Sequence, residues 1–399
     1  MHVVWAGLHR PDALRGGGWT HAYELLREAA RRHRVTLVTG VAPGDDGSDL
    51  EALGVELVPV TWARRPPPRS RLGLLARAAA GPGTVGFWEV APGTDAVARA
   101  VAAVEATERV DLVSVFAGEI APVASTARAP SALLLTDSYT RQGQREVAAA
   151  SRLRHRLLYA LEAGHARRWE RTRYRHASAL ACVSESDAAV LRALTRMPVD
   201  VVPNPLGAAF FAPPDRPRRP GLVSIIGALD YRPNVDAVTW FVTDVWPQVL
   251  AAAPGTTLRV VGRNPVEDVH AMLNQRSVEL QADVADIRPA YWEAAVVVVP
   301  LRLGSGVKNK VLHALACGSP LVGTSVAFED IPVQPGDHVL VADDAPALAR
   351  AVLAALADPP AAAERAARAL PVADAYRADR VADLLDRFWE RAARQPRRG

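Results

Sequence analysis

The sequence predicts an α/β protein made of two parallel-sheet halves. Short β-branched runs alternate with amphipathic helical runs along nearly the whole chain, which is the pattern of βαβ units rather than of an all-β or all-α fold. A stretch rich in proline and arginine at 205–221 interrupts the alternation once, and the pattern then restarts. The 399 residues, 49% of them apolar and 23% charged, are enough for two cores and exclude disordered and fibrous classes.

In the first half, strands are expected at 3–5, 35–39, 55–58, 112–116, 133–135, 179–183 and 199–202. The helix after the first strand, 20–32, follows from Ala22, Leu25, Leu26 and Ala29, which recur at helical spacing. Pro213, Pro214, Pro217 and Pro220, set among arginines, make the interruption a natural linker. Beyond it, strands are expected at 223–226, 258–261, 278–280, 296–300, 321–323 and 339–341, with helices at 235–253, 266–275, 307–316 and 345–356. A last helical run, 377–394, follows the final strand and belongs to neither alternation. The expected organisation is a first domain over 1–205, a linker over 206–221, a second domain over 222–375, and a closing helix with a basic tail over 376–399. In such sheets ligands bind beyond the carboxyl ends of the strands, so the chemistry is to be sought in the loops that follow them.

Charge is nearly balanced, with 47 basic and 43 acidic residues, but Lys308 and Lys310 are the only lysines, which leaves 45 arginines. Cys182 and Cys317 give neither a disulfide framework nor a zinc spacing. They fit a reducing compartment, so the expected location is cytoplasmic. The opening MHVVWAGLHR has too short an apolar run for a signal peptide and reads as a first buried strand. No stretch approaches the ~18 uninterrupted apolar residues of a membrane span. Neither a secreted, disulfide-stapled protein nor an integral membrane protein is expected.

The strongest chemical signal is the segment PLRLGSGVKNKVLHALACGSP. A buried strand leads into Gly304-Ser305-Gly306 and Val307, and then into a helix whose first turn carries Lys308, Asn309 and Lys310. Glycines let backbone N–H groups approach an anion, and a helix N-terminus adds about half a positive charge. Cations in that turn oppose the helix dipole, at a cost of roughly 0.3–1 kcal/mol unless an anion sits there. A diphosphate satisfies the arrangement; the competing reading is a solvated basic turn. Lysine is a compact point charge where arginine is a planar fork, and a chain that uses arginine for every other cation places its two lysines here. The Walker spacing G-x-x-x-x-G-K-[ST] is absent, which argues against an NTPase.

The runs GALDYRPNVDAVTWFVTDVWPQVL, LRVVGRNP, ADVADIRPAY and VVVVPLRLGSGVKNKVLHALACGSPLVGTSVAFEDI occur in that order over 223–341. Together they resemble the donor-binding domain of glycosyltransferase family 4, in the branch whose loop reads G-S-G-V-K-N-K. The first half is more weakly similar, through Gly16-Gly17-Gly18 and the VSESDAAVL and VVPNP segments. The resemblance implies a GT-B fold: two Rossmann-like parallel-sheet domains facing across a cleft, with the C-terminal helix crossing back to the first domain. It also implies a hexosyltransferase-type reaction, in which a sugar passes from a nucleotide sugar to an acceptor with retention of configuration, with no cofactor beyond that co-substrate and no metal. No Asp-x-Asp triple occurs in the sequence. The leaving diphosphate is then to be neutralised by Lys308, the Gly304–Val307 backbone, Asn309 and Lys310.

The departures from the family are specific. Two glutamates eight positions apart are common there, and Ser305 and His313 occupy those positions. Neutral imidazole accepts one hydrogen bond where a carboxylate takes both ribose hydroxyls. An Arg and a Lys that often hold the diphosphate are missing from the loop at 227–234; Arg232 is the candidate to compensate, with a solvated loop arginine as the competing reading, and Asn234 is a further donor-side candidate. Arg263 and the backbone at Asp283 and Val284 are expected around the base. On the acceptor side the family's histidines are absent. Asp137 is the first candidate to orient or deprotonate the acceptor and Glu119 the second, with helix capping or a loop salt bridge as the competing role for both. A GT-B scaffold that binds nucleotide sugar without turnover, and a nucleotide-sugar 2-epimerase, are the alternative functions.

Between 151 and 175 there are eight arginines against Glu162 and Glu170, interleaved with Leu153, Leu157, Leu158, Leu161 and Trp169. This basic amphipathic stretch is either a solvated helix face or a contact for an anionic membrane or a phosphorylated acceptor, as for a peripheral enzyme at the inner face of the membrane. The acceptor class spans glycans, lipid-linked molecules and small molecules. Nucleic acid is not expected, because no recognition motif or aromatic ladder accompanies the patch.

Overall fold

The structure, a computed structural model, describes residues 1–12, 18–42, 47–66, 85–150, 152–273, 277–304 and 306–395. The chain divides into two compact units, Met1–Pro205 with Ala378–Gly399, and Leu206–Arg377.

The first unit is built on a parallel sheet of β1 (His2–Gly7), β2 (Arg34–Gly40), β3 (Glu56–Val60), β4 (Leu112–Phe116), β5 (Ser131–Leu135), β6 (Ala179–Cys182) and β7 (Val199–Val201), in the order β3-β2-β1-β4-β5-β6-β7. Its central strands are buried on both faces, which is why they read as continuous apolar runs. Alternate side chains serve separate cores: Val4, Val113, Leu133 and Leu180 on one face, and Val3, Trp5, Leu112 and Leu134 on the other. Around the sheet lie α1 (Gly18–Ala30), α2 (Val85–Thr107), α3 (Tyr139–Ala149), α4 (Leu153–Arg173) and α5 (Glu185–Thr195). Helices α3 and α4 form a tight hairpin. A Cβ on Gly143 would lie 2.8 Å from Ala163 Cβ and 3.0 Å from its Cα, so only glycine permits this approach.

The second unit has the parallel order β10-β9-β8-β11-β12-β13, with β8 (Arg219–Ile226), β9 (Thr257–Gly262), β10 (Val278–Ala282), β11 (Ala294–Val299), β12 (Leu321–Gly323) and β13 (Leu340–Val341). Strand β8 starts inside the stretch read as linker. Arg219 N–H donates to Glu293 O at 2.7 Å, and Glu293 Oε1 accepts from Arg216 at 2.9 Å, so distant pairing orders residues that local composition marks as loop. The helix expected at 235–253 is three segments: α6 (Arg232–Trp240), a π-helical turn (Phe241–Val245) and Trp246–Ala252. Pro247 has no N–H to offer the carbonyl a turn back, and the ladder slips register beside it. Helices α7 (Asn309–Ala316), α8 (Ala345–Ala357) and α9 (Pro359–Asp374) complete the unit.

The last helix, α10 (Ala378–Arg394), belongs to the first unit. Val381, Leu385, Phe388, Trp389 and Ala392 form its buried stripe and sit in the same core as Trp5 and Leu134. The Trp389 ring meets Trp5 edge-on at 5.8 Å, and its Nε1 donates to Ser114 Oγ at 3.1 Å. Arg32 pairs with Asp383 at 2.6 Å and Asp386 at 2.8 Å. Within the second unit, Leu206 N–H donates to Tyr376 O at 2.6 Å, and Leu206 bridges to Arg377, so the outgoing and returning strands lie side by side.

Candidate active site

In the second sheet the strand order reverses between β8 and β11, so the loops leaving them diverge and open a crevice at their carboxyl ends. Gly227, Asn234, Pro300, Leu301 and Lys310 line it. Lys310 Nζ donates to Asn234 Oδ1, and Asn234 Nδ2 donates to Ala228 O at 2.8 Å. This tie brings a lysine from α7 against the 227–234 loop. A Cβ on Gly227 would lie 2.7 Å from Lys310 Nζ and 2.9 Å from Asn234 Nδ2, so a side chain there would push this pair aside. Burial, and then the neighbouring charge of Lys308, push the Lys310 ammonium down to about 8. An opposite charge beside it favours the ammonium form and so offsets both.

Lys308 is 5% exposed. Its Nζ donates to Gly306 O at 2.7 Å and lies 3.7 Å from the Glu329 carboxylate. Gly306 has φ 68°, in the left-handed region where glycine is favoured. Helix α7 then starts at Asn309 with no side chain capping it. Two ammonium groups and an uncapped helix N-terminus thus converge on one turn, an arrangement that an anion stabilises.

The neighbouring loops form one rim. Asp283 N–H donates to Gly262 O, Asp283 Oδ1 accepts from Asn264 N–H, and Asn264 Nδ2 donates to Asp230 Oδ2, each at 3.0 Å. Leu229 N–H donates to Arg263 O at 2.8 Å. The structure therefore joins the loops bearing Arg263, Asp283 and Val284 to the loop after β8. Arg232 is exposed at the first residue of α6. His313 lies on α7 with its ring stacked flat on Phe210, 3.9 Å between centroids and 2° between planes, and burial pushes its pKa down to about 3. It is a neutral imidazole with one face covered. Val307 and Asn309 are half-buried between the glycine turn and α7. Ser305, Gly16 and Gly17 lie outside the described residues, and Gly18 is the first residue of α1. Among the described residues, no group of three or more His, Cys, Asp or Glu side chains is placed to hold a metal ion.

In the first unit, Asp137 follows β5 at the carboxyl edge of the sheet, half-buried. It does not cap α3; Ser138 does, its side chain accepting from Arg141 N–H. Behind this turn Glu170, fully buried, accepts from Tyr139 N–H at 2.7 Å and from Ser138 Oγ at 3.2 Å, and burial pushes its carboxyl up to about 7. Glu119 makes no salt bridge among the described residues. Its Oε2 accepts from Tyr139 O–H at 2.6 Å, and both side chains line a cavity of about 430 Å³. That wall also takes Phe87 from α2, Tyr139 and Glu146 from α3 and Glu162 from α4, which carry no local sequence signal and meet only in the folded unit.

Residues 220–358 match the family model described as glycosyl transferases group 1, and residues 16–207 match the glycosyl transferase 4-like domain. The chain is a glycosyltransferase. This glycosyltransferase is similar to the solved structure of sucrose-phosphate synthase from Thermosynechococcus elongatus, at 18% identity over 98% of each chain and a TM-score of 0.73. It is also similar to TarM of S. aureus, at 10% identity over 99% of each chain and a TM-score of 0.70. A third similar structure is Anabaena HepE in complex with UDP-glucose, at 15% identity, 97% of this chain and 98% of that one, and a TM-score of 0.65. The fold of the glycosyltransferase is GT-B, two parallel-sheet α/β domains. No curated protein sequence matches it.

Proposed function

We propose that the glycosyltransferase moves a sugar from a nucleoside-diphosphate sugar to an acceptor, with retention of configuration and without a metal ion. The observation that carries this reading is the placement of Lys310 at the crevice between β8 and β11, next to an uncapped start of α7 that also bears Lys308. HepE was solved with UDP-glucose, which supports the donor class. On this reading the diphosphate draws Lys308 from Gly306 O, Lys310 supplies the second charge, and Asn309 and the Gly304–Val307 backbone donate N–H groups to the phosphate oxygens. Charge developing on the leaving group is stabilised by groups already in place. Retention rests on the family resemblance, in which the leaving phosphate assists deprotonation of the acceptor, so no separate base is required; Asp137 orients the acceptor. Arg263, Asp283, Val284 and His313 surround the nucleoside, and Arg232 faces the diphosphate.

The test is incubation with UDP, GDP and dTDP sugars and an acceptor panel, with and without EDTA, reading product anomers by NMR. One donor class is expected to yield transfer of the same anomer, unaffected by EDTA. Binding without turnover would favour the scaffold reading, and sugar isomerisation the epimerase.

The acceptor is a glycan, a lipid-linked molecule or a small molecule, and we place the enzyme in the cytoplasm with peripheral contact at the inner face of the membrane. Leu153, Leu157, Leu158 and Leu161 are 52–72% exposed on α4, and Arg152, Arg154 and Arg156 are exposed beside them. Leucines that insert and arginines that meet headgroups suit an anionic bilayer surface. No helix among the described residues is long and apolar enough to cross a membrane. Co-sedimentation is expected with vesicles containing phosphatidylglycerol and not with pure phosphatidylcholine, and Leu157→Asp with Leu161→Asp should abolish it. Equal binding to both vesicles would count against the contact.

A further inference from the structure

The cavity of about 430 Å³ in the first unit has the size of a small-molecule site, and its charge runs against the composition of the chain. Glu119, Glu146 and Glu162 line it. None of the eight arginines at 152–175 does; all of them are exposed. Of the two basic residues on the wall, His9 and Arg64, the arginine already pairs with Glu89 at 3.8 Å. The α3–α4 hairpin holds Glu146 and Glu162 opposite each other. Burial, and then the charge of Glu146, push the Glu162 carboxyl above its ordinary value. Neither side chain makes an ion pair or hydrogen bond among the described residues. Deeper in, the Phe87 and Tyr139 rings meet edge-on at 4.8 Å, with Tyr139 O–H fixed to Glu119. Two carboxylates that face each other with no cation between them among the described residues repel, which a cation placed there relieves, and an aromatic wall favours a cation as well.

We infer that this cavity is the acceptor site and that the acceptor is an amine-bearing small molecule, held as its ammonium between Glu146 and Glu162. The assignment rests on the glycosyltransferase reading for the word acceptor, and on the cavity alone for the amine. An ammonium has no lone pair to attack, so the nucleophile is a hydroxyl elsewhere on the molecule. That oxygen bonds to the sugar C1 as the C1–O bond to the diphosphate breaks, and the hydroxyl proton leaves with the nucleoside diphosphate. The eight exposed arginines then serve the outer surface of α4 and not a phosphorylated acceptor.

The test compares methyl 2-amino-2-deoxyglucoside with its N-acetyl counterpart and with methyl glucoside, by ligand-observed NMR and calorimetry on the full chain at pH 7. The amine should bind at least about tenfold tighter than either neutral sugar, the scale of one charge-assisted hydrogen bond. Glu146→Gln and Glu162→Gln should each remove about tenfold of that preference, read as the ratio of amine to neutral-sugar affinity in the same variant. Equal binding of amine and neutral sugars, no binding of the amine, or indifference to both Gln variants would overturn the assignment. Because binding is read without donor, failures separate: an amine preference without transfer to any acceptor leaves this site standing and removes the proposed function, whereas transfer without amine preference removes this inference alone.

Discussion

Replacing Lys308 by alanine is expected to lower kcat by a hundredfold or more, since loss of one preorganised group facing developing charge costs roughly 3–4 kcal/mol. The thermal midpoint should change little. Among the ammonium's contacts are the Gly306 carbonyl at 2.7 Å and the Glu329 carboxylate at 3.7 Å, and the Glu329 side chain left behind is 31% exposed and can be solvated. Lys308→Arg should fail almost as badly. The residue is 5% exposed, and a planar guanidinium needs room for a fork where the site accommodates a point charge. Wild-type turnover in Lys308→Ala would remove that residue from the mechanism, whatever became of the rest of the site.

The second large effect concerns folding. Trp389→Ala should destabilise the first unit by roughly 3–5 kcal/mol, the range for removing a large buried aromatic. Trp389 is fully buried, packs edge-on against Trp5 and bonds Ser114, so truncation leaves both a cavity and an unsatisfied hydroxyl. Urea unfolding followed by hydrogen exchange should show early loss of protection in β1, β4 and β5 and little change in β8 to β12. Uniform loss across both sheets, or none, would contradict the placement of α10 in the first core.

Much of the donor site is legible locally because its chemistry is contiguous: strand, glycine turn and two lysines all lie within residues 294–310. What composition hides is pairing at a distance. Asn234 reads as a loop residue, and its role emerges only when Lys310 reaches it across 76 positions. The arginines before β8 read as linker because Glu293, which orders them, is 77 positions from Arg216. Helix α9 carries Pro359, Pro360 and Pro371. Prolines usually argue for a break, yet the first two sit in the opening turn, where no N–H is needed. The acceptor-side cavity is the least legible, because Glu119, Glu146 and Glu162 come from three separate elements and none has a motif around it. Charge counting over 151–175 draws attention to the arginines, whereas the cavity is made by the minority residues on the other face of the same helix.

The return of α10 to the first unit sets an order on events during synthesis. A ribosome that has released residues 1–205 has delivered all seven strands of the first sheet, but not the helix that covers Trp5, Leu112 and Leu134. That apolar face stays open while the whole of 206–377 is made, so the second unit, though later in the chain, has every residue it needs to fold first. A nascent chain stalled near 377 should therefore present one protease-resistant unit and one chaperone-dependent one, and the first core closes only once residues 378–394 have emerged.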